Sequence, residues 1–201
     1  MIKKILVATT NAGKFAEITA ELTDLQFDFV NLKDLKLDKF DVDEPHSTTW
    51  QNALEKAKFF AKQSGLLTIA EDTGLFIDYL KGEPGVKSKR YGATAAEGIK
   101  KILEKLKNVP EKKRTAYLET AGCLYNPKTD GFSIFIGRTD GIIAKEARGI
   151  VKENMSFASI FYYPPLKKLF SEMPLLEKNM VSQRGKMVGQ LKYFLKLFNQ
   201  K

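Results

Sequence analysis

Two adjoining acidic residues in the middle of the sequence have the composition of a metal site. Glu71 and Asp72 stand in IAEDTGLFID, where the apolar run at 66–71 predicts a buried strand that ends at the pair. Two close carboxylates repel each other, which raises the pKa of an unneutralised pair, and a divalent cation relieves the repulsion. Mg²⁺ suits them because it takes one or two carboxylates plus phosphate oxygens, and Glu44 offers a further oxygen. An ordinary Asp-Thr-Gly turn is the alternative for this segment alone.

A second candidate site lies at a junction between a strand and a helix near the N-terminus. TTNAGK, residues 9–14, follows the apolar run 5–8 and precedes apolar residues at helical spacing. The unpaired N–H groups and the positive dipole end of such a helix attract anions, phosphate above all. TTNAGK is neither a Walker loop nor a G-x-G-x-x-G loop, so an ordinary Asn-Gly turn is the alternative.

A third candidate precedes the last predicted helix. EKNMVSQRGK, residues 177–186, contains Lys178, Gln183 and Arg184. The guanidinium fork and the amide can read the carbonyl and amide edges of a planar ring. Taken alone, this segment favours the alternative, a solvated helix start.

Both strands and helices are predicted to position these segments. Strands are predicted at 2–9, 27–32, 66–71, 76–80 and 160–163, with two or three antiparallel strands between 114 and 144. Helices are predicted at 13–25, 48–65, 94–107, 166–173 and 185–199, with capping boxes at Thr48/Gln51 and Thr94/Glu97. This mixture predicts an α/β fold: a mixed twisted sheet with flanking helices, in two lobes around a central cleft.

Composition excludes several classes of site. One cysteine and one histidine in 201 residues exclude an internal disulfide framework and a Cys/His zinc site, so a metal would have oxygen ligands. The net charge of +9 comes from lysines dispersed over the chain, which favours a solvated surface over nucleic-acid binding. The N-terminal apolar run is too short for a signal peptide and no segment could span a bilayer, so we expect a cytoplasmic protein without membrane contacts.

In their order and context, these segments resemble the inosine triphosphate pyrophosphatase family, which hydrolyses non-standard purine nucleoside triphosphates to the monophosphate and pyrophosphate. The matching stretches, which cover nearly the whole chain, are ATTNAGKFAEI, EPHSTTWQNALEKA, IAEDTGLFIDYLKGEPGVKSKRYG, GRTDGIIAKEARG and EKNMVSQRGK. The resemblance implies an acid-anhydride hydrolase acting on ITP, dITP and XTP. It also implies one domain over residues 1–201 with two lobes, dependence on Mg²⁺ and a homodimer.

The resemblance also assigns roles to individual residues. The residues implied to hold the triphosphate are Thr9, Thr10, Asn11 and Lys14, with Lys14 neutralising charge as pyrophosphate leaves. The residues implied to support the metal are Glu44, Glu71 and Asp72, and Asp72 also orients or deprotonates the attacking water. The residues implied to contact the rest of the substrate are Thr73, Lys178, Gln183 and Arg184.

The sequence departs from the family pattern where the family reads the base. Where the family carries Gly-Phe-Gly-Tyr-Asp-Pro, this chain has NMSFAS, so that Met155 replaces the stacking Phe and Phe157 replaces the Tyr. Ala158 replaces an Asp that hydrogen-bonds to the base, and Gln183 replaces the His of Ser-His-Arg. Met155 and Phe157 are still predicted to line the base pocket, but the reaction type is better supported than the base.

Two alternatives to this function stay open. One keeps the pyrophosphohydrolase chemistry and changes the substrate to a different modified nucleotide. The other is a catalytically silent nucleotide-binding homologue. This alternative is disfavoured because the chain retains Lys14, Glu44, Glu71 and Asp72. A nucleic-acid-binding module is the least favoured class.

Overall fold

A computed structural model describes residues 3–149 and 157–198 of the chain. These residues belong to two compact units. The first unit consists of Met1–Asp72, Thr120–Gly137 and Ser182–Lys201. The second unit consists of Thr73–Glu119 and Arg138–Val181.

The described residues form strands and helices in alternation and then a strand-rich middle. The strands are β1 (Lys3–Val7), β2 (Phe27–Asn31), β3 (Leu67–Ile77), β4 (Pro84–Gly85), β5 (Thr115–Asn126), β6 (Gly131–Ile143), β7 (Phe161–Tyr163) and β8 (Lys168–Leu169). The helices are α1 (Ala12–Ala20), α2 (Thr49–Ser64), α3 (Ala95–Lys105), α4 (Leu175–Val181) and α5 (Gln183–Phe198). The strand order is β2-β1-β3-β5-β6-β7-β8, with β4 paired to β3. Parallel and antiparallel pairs both occur, which confirms the predicted mixed α/β fold.

The first unit is a sheet covered by helices on both faces. β1 pairs in parallel with β2 and with β3. Because side chains alternate along a strand, Ile5 and Ile69 join the apolar cluster that includes α1 and α5, whereas Leu6 and Ala70 join the cluster that includes α2. Each face of β3 therefore contacts a different set of helices.

β3 corrects one of our sequence predictions. Residues 66–71 and 76–80 were expected to be two strands with an Asp-Thr-Gly turn between them, but β3 runs without interruption through Asp72, Thr73 and Gly74. The strand is buried along most of its length, and its neighbours in the sheet supply ladder hydrogen bonds that override the turn propensity of Asp-Thr-Gly. Residues 78–80 form a 3₁₀ turn instead of strand.

The strand-rich middle is simpler than predicted. The two or three strands expected between 114 and 144 are two long ones, β5 and β6, which are sheet neighbours joined at residues 127–130. The stretches FSIFIGR and GIIA belong to the same strand, β6. Polar Thr139 and Asp140 lie between them without ending the strand: the side chain of Asp140 faces solvent, and the buried hydroxyl of Thr139 donates to the Val181 carbonyl at 2.7 Å.

The second unit has its own apolar core. Ile99 and Ile102 of α3 pack with Leu75 and Ile77 of β3. Thr94 caps α3 as predicted, its hydroxyl accepting from the Glu97 N–H at 3.2 Å. The helix predicted at 166–173 is wrong: this stretch contains β8 between 3₁₀ turns. β8 pairs with β7, and this pairing stabilises strand where helix was expected.

Helix boundaries shift at several predicted sites. α1 ends at Ala20, five residues earlier than the sequence pattern indicated. The Thr48 capping box is wrong in detail, because the hydroxyl of Thr48 donates to the side chain of Gln51 at 2.6 Å and makes no cap hydrogen bond to the backbone. α5 begins at Gln183, two residues before the predicted start, which places Arg184 in its first turn. Over the described ranges 3–149 and 157–198, every helix is too short or too polar to cross a membrane.

Candidate functional site

The N-terminal junction has the backbone arrangement of an anion site. Asn11 is the N-cap of α1, and its side-chain oxygen accepts from the Lys14 N–H at 3.1 Å. The hydroxyl of Thr9 accepts from the Asn11 N–H at 3.1 Å, which fixes the turn out of β1. Thr10 lies exposed at this turn. The predicted phosphate loop is therefore a capped helix N-terminus with its hydroxyl and amide side chains at the helix start.

A buried charge network lies beside this loop. Lys14 Nζ is 2.5 Å from Glu71 Oε1, and Arg184 Nε donates to Glu71 Oε2 at 3.1 Å. Arg184 Nη1 also donates to the buried carboxylate of Glu17. Burial by itself disfavours the ionised form of Glu71, but the charges of Arg184 and Lys14 outweigh it and hold the pKa of Glu71 well below its ordinary value. Glu71 is thus a stable anion that holds two cationic side chains in place.

Asp72 has different surroundings on the other face of β3. Asn52 Nδ2 on α2 donates to Asp72 Oδ2 at 3.1 Å. Lys56, one turn further along α2, forms an ion pair with Glu44 and donates to the backbone carbonyl of Glu71 at 3.3 Å. Burial raises the pKa of Asp72; the charges of Glu44 and Glu71 raise it further, and Lys56 opposes the rise. Asp72 is therefore the carboxylate of the pair whose negative charge is the less compensated.

The three predicted metal ligands do not share one position. In the ranges 3–149 and 157–198, no three His, Cys, Asp or Glu side chains form a group that could hold a metal ion. Glu71 and Asp72 point to opposite faces because they are consecutive in a strand, and Glu71 already contacts two cationic side chains. Asp72 and Glu44 fit a hard divalent cation better. Both are oxygen ligands, and their negative charges repel each other, so that a cation between them would be stabilising. Their role as ligands stays a prediction.

Several of the other predicted contacts lie in the second unit. Thr73 follows Asp72 in β3 and is half-buried, and Lys178 is half-buried on α4. Phe157 is 6% exposed within the apolar core of that unit, so its ring packs against protein side chains. Ala158 packs against the same core. Met155 lies outside the described residues.

Gln183 occupies a constrained position at the start of α5. It is 5% exposed, and its side-chain oxygen has no hydrogen-bond partner among the described residues. A Cβ on Gly137 of β6 would fall 1.9 Å from the backbone oxygen of Gln183, so only glycine lets the strand approach this closely. The Gln183 amide is thus buried with an acceptor that a ligand N–H could satisfy.

Three residues of the site were not among our sequence predictions. Glu17 and Asn52 are buried and polar, and Lys56 pairs with Glu44. Helical spacing gives the signal in each case: Glu17 lies three residues after Lys14 on α1, and Lys56 four after Asn52 on α2, so each pair shares a helix face. The sequence does not reveal which strand those faces meet.

Comparison with known proteins finds relatives that match the chain over nearly its full length. The chain is 39% identical over 201 residues to a protein from Dictyoglomus thermophilum named dITP/XTP pyrophosphatase, covering 97% of this chain and 96% of the relative. A second relative of that name, from Thermoanaerobacter pseudethanolicus, is 34% identical and covers 98% of this chain and 100% of its own.

Solved structures give the same result. A HAM1 protein from Coxiella burnetii matches with a TM-score of 0.86 and 35% identity, covering 97% of this chain and 99% of that one. The Ham1 protein of Staphylococcus aureus matches with a TM-score of 0.82 and 30% identity, covering 99% of this chain and all of its own. Residues 5–194 match the model of the Ham1 family. The resemblance inferred from the sequence motifs is therefore confirmed, and this chain belongs to the Ham1 family.

Proposed function

We propose that this protein hydrolyses non-standard purine nucleoside triphosphates, ITP, dITP and XTP, to the monophosphate and pyrophosphate. One observation carries the proposal: consecutive residues of β3 hold a carboxylate paired with Lys14 and Arg184 and, on the other face, a buried carboxylate with a raised pKa. A triphosphate needs cationic partners, and an attacking water needs a base. The relatives from Dictyoglomus thermophilum and Thermoanaerobacter pseudethanolicus, both named dITP/XTP pyrophosphatase, support the same reaction.

In this reaction the phosphate loop holds the triphosphate. In this proposal, the N–H groups at the start of α1, which Asn11 caps, and the side chains of Thr9, Thr10 and Asn11 donate to phosphate oxygens. Lys14 contributes a positive charge whose position is fixed by its ion pair with Glu71. That charge stabilises the pyrophosphate as it leaves.

Asp72 is the base in this proposal. The water oxygen forms a bond to the α-phosphorus, the bond from that phosphorus to the bridging oxygen breaks, and the electron pair leaves with pyrophosphate. The water proton passes to a carboxylate oxygen of Asp72. A carboxyl group with a raised pKa is a better proton acceptor than an ordinary one, and burial supplies that rise here.

We further propose Mg²⁺ as the metal that this site takes. Asp72 and Glu44 would bind the ion. Glu71 would contribute indirectly, by keeping Lys14 and Arg184 in position through its ion pairs with them. When bound, Mg²⁺ supplies Lewis-acid stabilisation of the phosphate charge. The proposal also includes the homodimer that the family resemblance implies and the cytoplasmic location expected from the sequence.

The base contacts are the part most altered in this chain. Arg184 and Lys178 supply hydrogen-bond donors. Gln183 presents a buried amide oxygen that has no hydrogen-bond partner among the described residues, and Thr73 follows Asp72 along β3. Ala158 cannot replace the family's carboxylate, and Met155 offers a thioether contact where the family has an aromatic ring. We therefore propose weaker discrimination between purine bases than the family pattern implies, or a shift to another modified nucleotide.

A panel of nucleotides tests the proposal. Pyrophosphate release is measured with Mg²⁺ for inosine, xanthosine, adenosine, guanosine and pyrimidine triphosphates, each in its ribose and deoxyribose form. We expect pyrophosphate and monophosphate as products, with the highest kcat/KM for a non-standard purine. Absence of pyrophosphate from every substrate, with nucleotide binding intact, would support the catalytically silent homologue instead.

A double variant tests the account of the base pocket. Gln183→His with Ala158→Asp restores the two family residues at described positions. We expect the ratio of kcat/KM for inosine over adenosine triphosphate to rise. If the parent already strongly prefers inosine triphosphate and the double variant leaves the ratio unchanged, other residues read the base.

A further inference from the structure

Asn52 is a buried amide at the point where α2 meets β3. Its side chain is 1% exposed and makes three hydrogen bonds. Nδ2 donates to Asp72 Oδ2 at 3.1 Å and to the His46 carbonyl at 3.3 Å. Oδ1 accepts from the His46 N–H at 3.0 Å.

These partners determine the orientation of the amide. Two acceptors face one end of the Asn52 side chain and one donor faces the other, so only one of the two amide orientations satisfies all three groups. A side chain held at both ends in a buried position has little freedom to move. The Asp72 oxygen that receives its hydrogen bond is correspondingly restrained.

Asn52 also connects two parts of the site that are distant in sequence. His46 lies two residues after Glu44 in the segment before α2, and Asp72 lies on β3. The amide of Asn52 therefore holds two groups to α2: the backbone of the segment that contains Glu44, and the carboxylate of Asp72. The Lys56–Glu44 ion pair fixes the same segment one turn further along α2.

We propose that Asn52 is a positioning residue for Asp72: by holding Oδ2, it fixes the carboxylate rotamer and the spacing between Asp72 and the Glu44 segment. This inference rests on the proposed function, because it assigns Asn52 an effect on turnover through Asp72. Asn52 does not contact the reacting atoms. Loss of it should therefore lower kcat and leave substrate binding by the phosphate loop nearly unchanged.

Two substitutions separate this role from packing. Asn52→Asp has the same shape and keeps an acceptor for the His46 N–H, but its ionised carboxylate repels Asp72 instead of donating to it. Asn52→Ala removes all three hydrogen bonds. The control is Phe60→Leu, a core change about two turns along the same helix, which should lower the melting temperature and leave kcat unchanged.

The measurements are kcat, KM, the melting temperature and the affinity for pyrophosphate by calorimetry. We expect both Asn52 variants to lose about 10–100-fold in kcat, the usual cost of removing a group that orients a functional carboxylate. KM and the affinity for pyrophosphate should stay within about threefold of the parent, because the α1 loop is untouched. A folded Asn52→Asp variant with parental kcat overturns the inference.

A double-mutant cycle gives the decisive readout. In an Asp72→Asn background, Asn52→Ala should change the residual kcat by less than about twofold, because a residue that acts through Asp72 has no effect without it. Losses that multiply would show an independent structural role and overturn the inference. If Asp72→Asn alone keeps parental turnover, the proposed base and this inference both fail. Active Asn52 variants beside an inactive Asp72→Asn overturn only the positioning role.

Discussion

The two faces of β3 present adjoining carboxylates to opposite electrostatic surroundings. On the face of α1 and α5, Glu71 contacts Lys14 and Arg184 and has a lowered pKa. On the face of α2, Asp72 receives a hydrogen bond from Asn52, lies near the charge of Glu44 and has a raised pKa. The strand's alternation of side chains separates a permanently charged structural anion from a carboxylate suited to accept a proton.

The comparison teaches that burial alone does not decide the chemistry of a carboxylate. Glu71 and Asp72 are 4% and 6% exposed, so their solvent access is nearly equal. What differs is the charge that each helix brings. α5 contributes the guanidinium of Arg184 to Glu71, whereas Lys56 of α2, on the Asp72 side, is already paired with Glu44.

The largest expected effect comes from removing the cation on the Glu71 face. Arg184→Ala leaves Glu17 and Glu71 buried without the guanidinium between them, which should lower the free energy of unfolding by about 3–5 kcal/mol. Urea unfolding measures the loss. The matched control is Arg148→Ala, whose exposed pair with Glu172 at 3.8 Å should contribute less than about 1 kcal/mol. Equal losses in the two variants would contradict the asymmetry between buried and exposed pairs.

The next effect concerns the Asp72 face. Asp72→Asn keeps the shape of the side chain but removes the base, so turnover should fall by roughly 10²-fold or more. Nucleotide binding and the folded state should persist, as measured by calorimetry and circular dichroism. Near-normal turnover in this variant would rule out Asp72 as the base.

A smaller effect is expected at the phosphate loop. Lys14→Ala removes a charge that meets phosphate, so triphosphate affinity should fall at least about tenfold, since a hydrogen bond to a charged group contributes about 1.5–3 kcal/mol. Nucleoside affinity should hardly change. Calorimetry with both ligands checks this, and equal losses for the two would count against the assignment.

The smallest effect is the pH dependence that distinguishes the two carboxylates. Glu71 has a folded-state pKa below its ordinary 4.5, so its stabilising contribution is present above that pH and is lost as the pH falls. Asp72 has a folded-state pKa above its ordinary 3.8, so its contribution falls as the pH rises from that value. The stability lost in Glu71→Gln should therefore grow as the pH rises toward 4.5, and that lost in Asp72→Asn should shrink as the pH rises above 3.8. Urea unfolding from about pH 3 to about pH 6, which brackets the ordinary carboxyl pKa values, checks both signs; parallel curves would contradict the comparison.

Local patterns predicted several features because short-range physics decides them. The apolar run before TTNAGK and the cap residue Asn11 define the β1–α1 junction without help from the rest of the chain. Gly65 ends α2 in a left-handed conformation at φ 69°, as a glycine after an apolar periodic segment predicts. The Thr94 cap of α3 is of the same kind.

Long-range pairing decided what the local patterns could not. Asp-Thr-Gly has turn propensity, yet Thr73 and Gly74 continue β3 because the strand's neighbours satisfy its backbone groups. The stretch 166–173 forms β8 instead of a helix because β7 pairs with it. Both errors come from applying a local preference where a partner distant in sequence supplies more hydrogen bonds.

By itself, the sequence determined the identities of the charged residues and, through its motifs, the family. Only the tertiary structure decided that Glu71 and Asp72 face different helices, because the sequence places them side by side and the strand's alternation separates them. It likewise brought Glu17 to Arg184, residues 167 positions apart, and Asn52 to Asp72. The physical reason is that a carboxylate's pKa depends on the charges within a few ångströms of it, and packing selects those charges.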